Sequence, residues 1–310
     1  MLGLIGSRLL QMIVVGLFLT FATFVLMKLA PGDPVKTILN IDDVAVTQAE
    51  QEAVRQSLGL DQPLVVQYTE WFWRVVRLDL GESYITHRPV ADLIESKLGA
   101  TMTVTLGGLT VMLLIAVPLG ILSAVYQNRW VDQLSRLFSL IGVSLPSFWL
   151  GLVLIYWFAY QWRLLPSMGN GGLMHLILPS VTLGIAMAGV YTRLLRSGLI
   201  KSLAEPYVRA ARARGLGEVR VIIVHALREG VLPVVTMFGM SLGSLLGGSV
   251  VVEMLFAWPG LGKMVVDAII QRDYPVIQGY VLCTGMLVVL INLGVDLTVR
   301  MLDPRLRWRS

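Results

Sequence analysis

The chain has 310 residues, of which 55% are hydrophobic and 15% charged, with a mean hydropathy of +0.73. A soluble domain carries about a quarter charged residues, so this composition excludes an ordinary water-soluble enzyme or binding module and places the chain in a lipid bilayer. The formal charge of +5 comes from basic residues dispersed among short polar segments, which excludes a nucleic-acid interface, and the lone Cys283 excludes an internal disulfide framework and a cysteine metal cluster.

The first apolar run covers residues 9–29. At about 21 residues it is too long for the core of a cleavable signal peptide and long enough to span a bilayer. Arg8 precedes it, and Lys28 at its far end is placed to snorkel to the interface. The sequence PGDP at 31–34 then breaks the chain. Residues 31–99 form a polar segment too long for a simple connector, expected on the outer face of the membrane. Tyr68, Trp71, Phe72 and Trp73 argue that part of it is helical; the two tryptophans either pack inside it or anchor it at the interface. The stretch GLDQP at 59–63 reads as a turn between two helical pieces.

Five further spans follow, at about 101–126, 137–160, 173–195, 231–252 and 279–301. The second, third and fourth of the six contain Pro118, Pro146 and Pro179, which act either as packing kinks or as hinges. A Gly-rich turn at 166–172 separates the third span from the fourth, and a polar re-entry at 253–278 separates the fifth from the sixth. The expected organisation is therefore an N-terminal transmembrane helix (1–30), an outer segment (31–99), a five-helix core (100–301) containing a polar loop at 197–230, and a basic tail (302–310). Orientation follows from the short loops. Arg8, Arg129, Arg136, the eight Lys/Arg from Arg193 to Arg228 and the four arginines from Arg300 to Arg309 fall on one side, against Arg163, Lys263 and Arg272 on the other. The crowded side, with both termini, is expected to be cytoplasmic.

The polar loop contains EPYVRAARARG at 205–215. Pro206 fits a first helical position with Glu205 just before it, and Gly215 suits a left-handed terminator. Ala210, Ala211 and Ala213 alternate with Arg209, Arg212 and Arg214. This predicts a helix of about two to three turns, either docked against a partner through its small residues or simply solvated. In the fifth span Gly239, Gly243 and Gly247 repeat at four-residue spacing, which permits close helix approach. Asp296 and Arg300 are spaced for a local ion pair. Few ionisable groups fall in the apolar runs, which argues against a proton relay.

Enzyme chemistry has no footing here. His87, His175 and His225 fall at three different depths, and the sequence holds neither HExxH nor a phosphate-binding Walker loop. If ATP drives the protein, another chain binds it. Met168, Met174 and His175 lie near one another in sequence and either touch a soft cation at the outer mouth or pack at the interface.

The string at 205–235, EPYVRAARARGLGEVRVIIVHALREGVLPVV, resembles the EAA loop of ABC-importer permeases in the dipeptide, oligopeptide and nickel branch. It departs from the wider motif at Arg209, where that motif has Glu, and at 225–228. The likeness covers nearly the whole chain: LAPGDP (29–34), LGLDQPL (58–64), FAWPGLG (256–262), RDYPVIQ (272–278) and DPRLR (303–307). Several strings look most like the nickel permease subunit of that branch, among them GVSLPSFWL and LLPSMGNGGLMHLILPS. The resemblance implies an all-α polytopic protein with six transmembrane helices and the type I importer (MetI-like) permease fold. It implies a homologous second permease, two ATPase subunits that carry ATP and Mg, an extracytoplasmic binding protein, and no cofactor on this chain. It implies that Glu205, Tyr207, Arg209, Ala210, Ala211, Arg212 and Gly215 form a coupling helix seated on an ATPase. The cargo implied is nickel, as ion or chelate, with di- or oligopeptides as the alternative.

Overall fold

A computed structural model describes residues 2–29, 35, 39, 47–57 and 59–302. The fold is all-α, and among the described residues the single β-type contact is an isolated bridge between Glu82 and Pro89. In chain order the helices are α1 (Leu2–Leu29), α2 (Gln48–Ser57), α3 (Leu64–Val76), α4 (Val90–Val125), α5 (Trp130–Ser144), α6 (Ser147–Leu154, running on through wider π-type turns over Ile155–Gln161) and α7 (Leu173–Leu203). Then come α8 (Pro206–Ala213), α9 (Glu218–Arg220, running on through π-type turns over Val221–Ala226), α10 (Leu227–Gly230), α11 (Leu232–Leu255), α12 (Leu261–Gln271) and α13 (Tyr274–Leu302). Four described helices are long and apolar enough to cross a membrane, and two bent pairs raise the number to six if each pair is one span.

Two compact units make up the chain. The first gathers residues 1–99 and 260–290. Its centre is an apolar cluster of Val90, Ile94, Leu261, Ala268, Tyr274 and Ile277. A second cluster sets Phe24 of α1 against Trp71 of α3 and Leu282 of α13, with the Phe24 and Tyr68 rings edge to face at 5.4 Å. The two readings of the tryptophans thus divide: Trp71 is packed and buried, and Trp73 is exposed. The turn at 59–63 forms as expected, with Gly59 at φ +63°. In the same unit Asp273 accepts hydrogen bonds from the Ser83 hydroxyl and the Tyr84 amide, both Ser83 and Asp273 being buried.

The second unit, residues 100–259 and 291–310, is built around α7, which packs against α5, α6, α10 and α11. Small residues set the spacing. A Cβ at Gly189 of α7 would stand 2.7 Å from the Ser139 carbonyl oxygen of α5, so glycine is required for this approach. Asp132 of α5, fully buried, receives a two-pronged bond from Arg196 of α7 at 2.7 and 2.8 Å. At the other end of the unit, the Trp258 indole donates to the Ala100 carbonyl at 2.9 Å and the Thr101 hydroxyl donates to buried Glu253 at 2.7 Å.

The helix bounds differ from expectation where tertiary packing overrides composition. The second span begins at Val90, eleven residues before the apolar run, because the polar first turns pack on α12 and α13 residues. The fourth runs on to Leu203 through Arg193, Arg196 and Lys201. The third is no straight span: α5 and α6 meet at 104°. Proline lacks the amide proton and forces its predecessor out of the helical region, and Leu145 before Pro146 is extended at φ −85°, ψ 129°. Pro118 and Pro179, by contrast, lie inside continuous helices. The strings at 30–34 and 303–307 and the side chains of Asp296 and Arg300 lie outside the described residues.

Candidate functional site

Helix α8 forms where the sequence sets it. Glu205 takes the extended N-cap conformation (φ −69°, ψ 149°) and Pro206 occupies the first turn, where its missing amide proton is no loss. At the other end Gly215 is left-handed at φ +78°. Its amide donates to the Arg212 carbonyl at 2.9 Å, and the Leu216 amide donates to the Ala211 carbonyl at 3.4 Å. These are the two bonds of a Schellman cap, and Leu216 packs in the same apolar cluster as Ala211, as such caps favour. Arg212 then closes the following turn through its ion pair with Glu218. That bond holds the guanidinium more firmly protonated than usual.

The helix has two faces. Val208 and Ala211, three residues apart, are buried at 0% and 6% exposure. They join Leu195 and Leu199 of α7, Ala124 of α4, and Val221 and Ala226. Arg209, Ala210, Arg212, Ala213, Arg214 and Gly215 are exposed. The expected contact residues fall on both faces. Ala211 faces its own chain, so the surface open to a partner is carried by Arg209, Ala210, Arg212 and Gly215, with Glu205 and Tyr207 half-buried at the edge. The helical period dictates the split, since any face that includes Val208 also includes Ala211.

Two devices seat α8. Ser202 at the end of α7 donates to the Ala226 carbonyl at 2.8 Å and pairs with the Tyr207 hydroxyl at 2.6 Å. Partial burial pushes the Tyr207 phenol above the usual tyrosine range, opposed by the Ser202 bond and reinforced by the Glu229 carboxylate. Behind this, Gly198 of α7 meets Gly230 of α10 backbone to backbone, so close that a side chain at 198 would collide with the Gly230 carbonyl.

The other expected positions are not brought together. Gly247 is exposed, and a Cβ there would meet nothing within 4 Å among the described residues. Gly243 is half-buried, and the surroundings of Gly239 lie outside the described residues. Met168 and Met174 are more than half exposed, while His175 packs its ring beside Gly171. Among the described residues no three His, Cys, Asp or Glu side chains converge as metal ligands.

Sequence reasoning missed the Asp132–Arg196 pair and Ser202. A signal for the pair existed: Asp132 and Arg196 both belong to loops assigned to the same side, and an acid next to an apolar run needs a partner. Ser202 carried no signal, because its role depends on where the chain returns at 226.

Comparison with known proteins identifies a family and a fold. Residues 116–308 match the family described as binding-protein-dependent transport system inner membrane component, and residues 1–105 match the N-terminal part of such membrane components. The glutathione transport system permease protein GsiC of Escherichia coli (strain K12) is 41% identical over 310 residues, covering 100% of both chains. The protein of the same name from Salmonella typhimurium is 41% identical over 309 residues, again covering 100% of each. Among solved structures, the MetNI methionine ABC transporter in an inward-facing conformation matches 68% of this chain and 96% of its own, with a TM-score of 0.57 at 21% identity. That likeness concerns the fold alone.

Proposed function

The chain belongs to the family of binding-protein-dependent transport system inner membrane components, and from that premise we propose that it is the permease of an ATP-driven importer for small peptides of the glutathione class. It is a multi-pass membrane permease subunit of the ABC-importer type, a transport component and not an enzyme. The observation that carries the cargo reading is identity of 41% to glutathione permeases with no part of either chain left uncovered. The nickel reading rests on short strings that peptide permeases partly share, so the peptide alternative is the better supported of the two.

The partners follow from the family. A second permease completes the pathway, two ATPases bind ATP and Mg, and an extracytoplasmic protein delivers the peptide. The excess of basic residues in the short loops of one side supports a reading in which α8 and both termini face the cytoplasm and residues 31–99 lie outside. The exposed face of α8 then rests in a groove of one ATPase, while its buried face transmits the displacement into α7. ATP binding changes the relative stability of two arrangements of the bundle, which is all that alternating access requires of the engine.

The test is uptake in cells that carry the whole transporter, with labelled glutathione and labelled nickel assayed side by side, with and without this chain. Loss of glutathione uptake with nickel uptake unchanged is expected. Loss of nickel uptake alone would overturn the cargo reading.

A further inference from the structure

The family accounts for a coupling helix, but it does not say how movement of a short surface helix reaches the far side of the bundle. Asp132 supplies an answer. It is the first acidic residue of α5, its side chain is fully buried, and its carboxylate is saturated from three directions. Arg196 of α7 grips both oxygens, at 2.7 Å through Nε and 2.8 Å through Nη2. The Ser123 hydroxyl at the end of α4 donates at 2.6 Å, and the Asn128 amide of the α4–α5 turn donates at 2.9 Å. Arg136, half exposed, adds only a longer contact at 3.7 Å.

One buried carboxylate therefore ties three helix ends together, and it does so close to α8. Arg196 stands three residues before Leu199, which packs under Val208, and six before Ser202, which holds Tyr207. That is less than two turns of α7, about 9 Å along its axis. On its other side Asp132 sits in the first turn of α5, the helix that runs to the 104° bend at Leu145–Pro146. Between these points α5 and α7 touch through Gly189 and Ser139 with no side chain between.

A buried ion pair seldom adds to stability over an apolar replacement, because two charges must be stripped of water, whereas the planar guanidinium fork meets both oxygens of a carboxylate in one orientation. We propose that Asp132 and Arg196 are positioning residues that lock the α8-side ends of α4, α5 and α7 into one block, so that displacement of α8 is delivered to α5 and its bend. Without the lock α7 would still receive the push from α8, and the push would be dissipated by slip between α7 and α5. This rests on the coupling reading of α8 and adds a transmission element that the reading alone does not require.

The experiment uses the complete transporter in proteoliposomes, with glutathione as the probe and its binding protein present. Three quantities are read: complex assembly, basal ATPase rate, and glutathione taken up per ATP hydrolysed. Asp132→Asn keeps the shape and removes the charge; Arg196→Lys keeps the charge and removes the fork. Both are expected to assemble and hydrolyse ATP at close to the unmodified rate. Uptake per ATP should fall about tenfold in Asp132→Asn and less in Arg196→Lys, which keeps one bond. Uptake per ATP equal to that of the unmodified complex in both variants would overturn the proposal. So would failure of both to assemble, since the pair would then serve the fold alone. If the unmodified complex hydrolyses ATP but takes up no glutathione, the cargo reading fails instead, and the ratio of binding-protein-stimulated to basal ATPase in the two variants still decides the role of the pair.

Discussion

The Ser202 hydroxyl donates to the Ala226 carbonyl at 2.8 Å and stands 2.6 Å from the Tyr207 hydroxyl, so one buried side chain ties α8 to its seat at two points. Removing either group is therefore unequal. Tyr207→Phe takes a hydroxyl from a half-buried edge, for about 1 kcal/mol, while Ser202→Ala ends two hydrogen bonds at a buried position, one of them to a backbone carbonyl, for about 1–3 kcal/mol. Thermal unfolding of the purified complex in one detergent should place Ser202→Ala below Tyr207→Phe, and both below the unmodified protein. Equal melting temperatures for the two would contradict this ranking.

The two faces of α8 call for opposite outcomes from one chemical change. Ala211→Asp buries a carboxylate in an apolar cluster and should lower the yield of folded protein. Ala210→Asp places the same charge on the exposed face, so folding should be unaffected while binding-protein-stimulated ATPase activity is lost. Size-exclusion profiles and ATPase rates of the two variants, measured together, would separate the faces. Normal stimulation in Ala210→Asp would remove that face from the partner contact.

Two glycines should respond in opposite ways to alanine. Gly198→Ala drives a methyl group into the Gly230 carbonyl, a backbone atom that cannot swing away, and should destabilise the chain by about 1–3 kcal/mol. Gly247→Ala meets nothing within 4 Å among the described residues, and alanine favours the helix by about 1 kcal/mol. A loss at Gly247 points to a contact with a neighbouring subunit. The expected pattern is poor expression of Gly198→Ala, and normal expression but weaker assembly of Gly247→Ala.

Helix α2 carries a pH signature. Thr47 and Glu50 form a reciprocal cap: the Glu50 carboxylate accepts the Thr47 amide at 2.9 Å, and the Thr47 hydroxyl accepts the Glu50 amide at 3.3 Å. The bond from the Thr47 amide holds the Glu50 carboxyl below the usual range. A group whose pKa is lower when folded contributes above its unfolded pKa and loses that contribution as pH falls through the folded value. Hydrogen-exchange protection over 48–57, corrected for intrinsic rates, should thus drop below about pH 4.5; Glu50→Gln should abolish that step, whereas Thr47→Val, which keeps the backbone amide, should only weaken it.

Much of this was legible from residue types alone. Pro206 and Gly215 marked the ends of α8 because each has one conformational preference that a helix terminus satisfies. The apolar runs marked the spans for the same kind of local reason. Packing was not legible in this way. Trp71 and Trp73 look alike in sequence, and only the position of Phe24 decides that one is buried. Ala210 and Ala211 are chemically identical, and they part only through the helical phase set by the seat on α7. Pro146 bends its span by 104° while Pro118 and Pro179 leave theirs continuous, a difference that neighbouring helices impose. Glu50 was readable and overlooked, since threonine three residues before glutamate is a cap signature.

The most direct test compares proteoliposomes holding this chain alone with proteoliposomes holding the complete transporter, both loaded with ATP and offered labelled glutathione with the binding protein. A permease without its own engine should give accumulation only in the complete assembly, and only with hydrolysable ATP. Accumulation by the isolated chain, or by the full assembly with a non-hydrolysable analogue, would contradict the account.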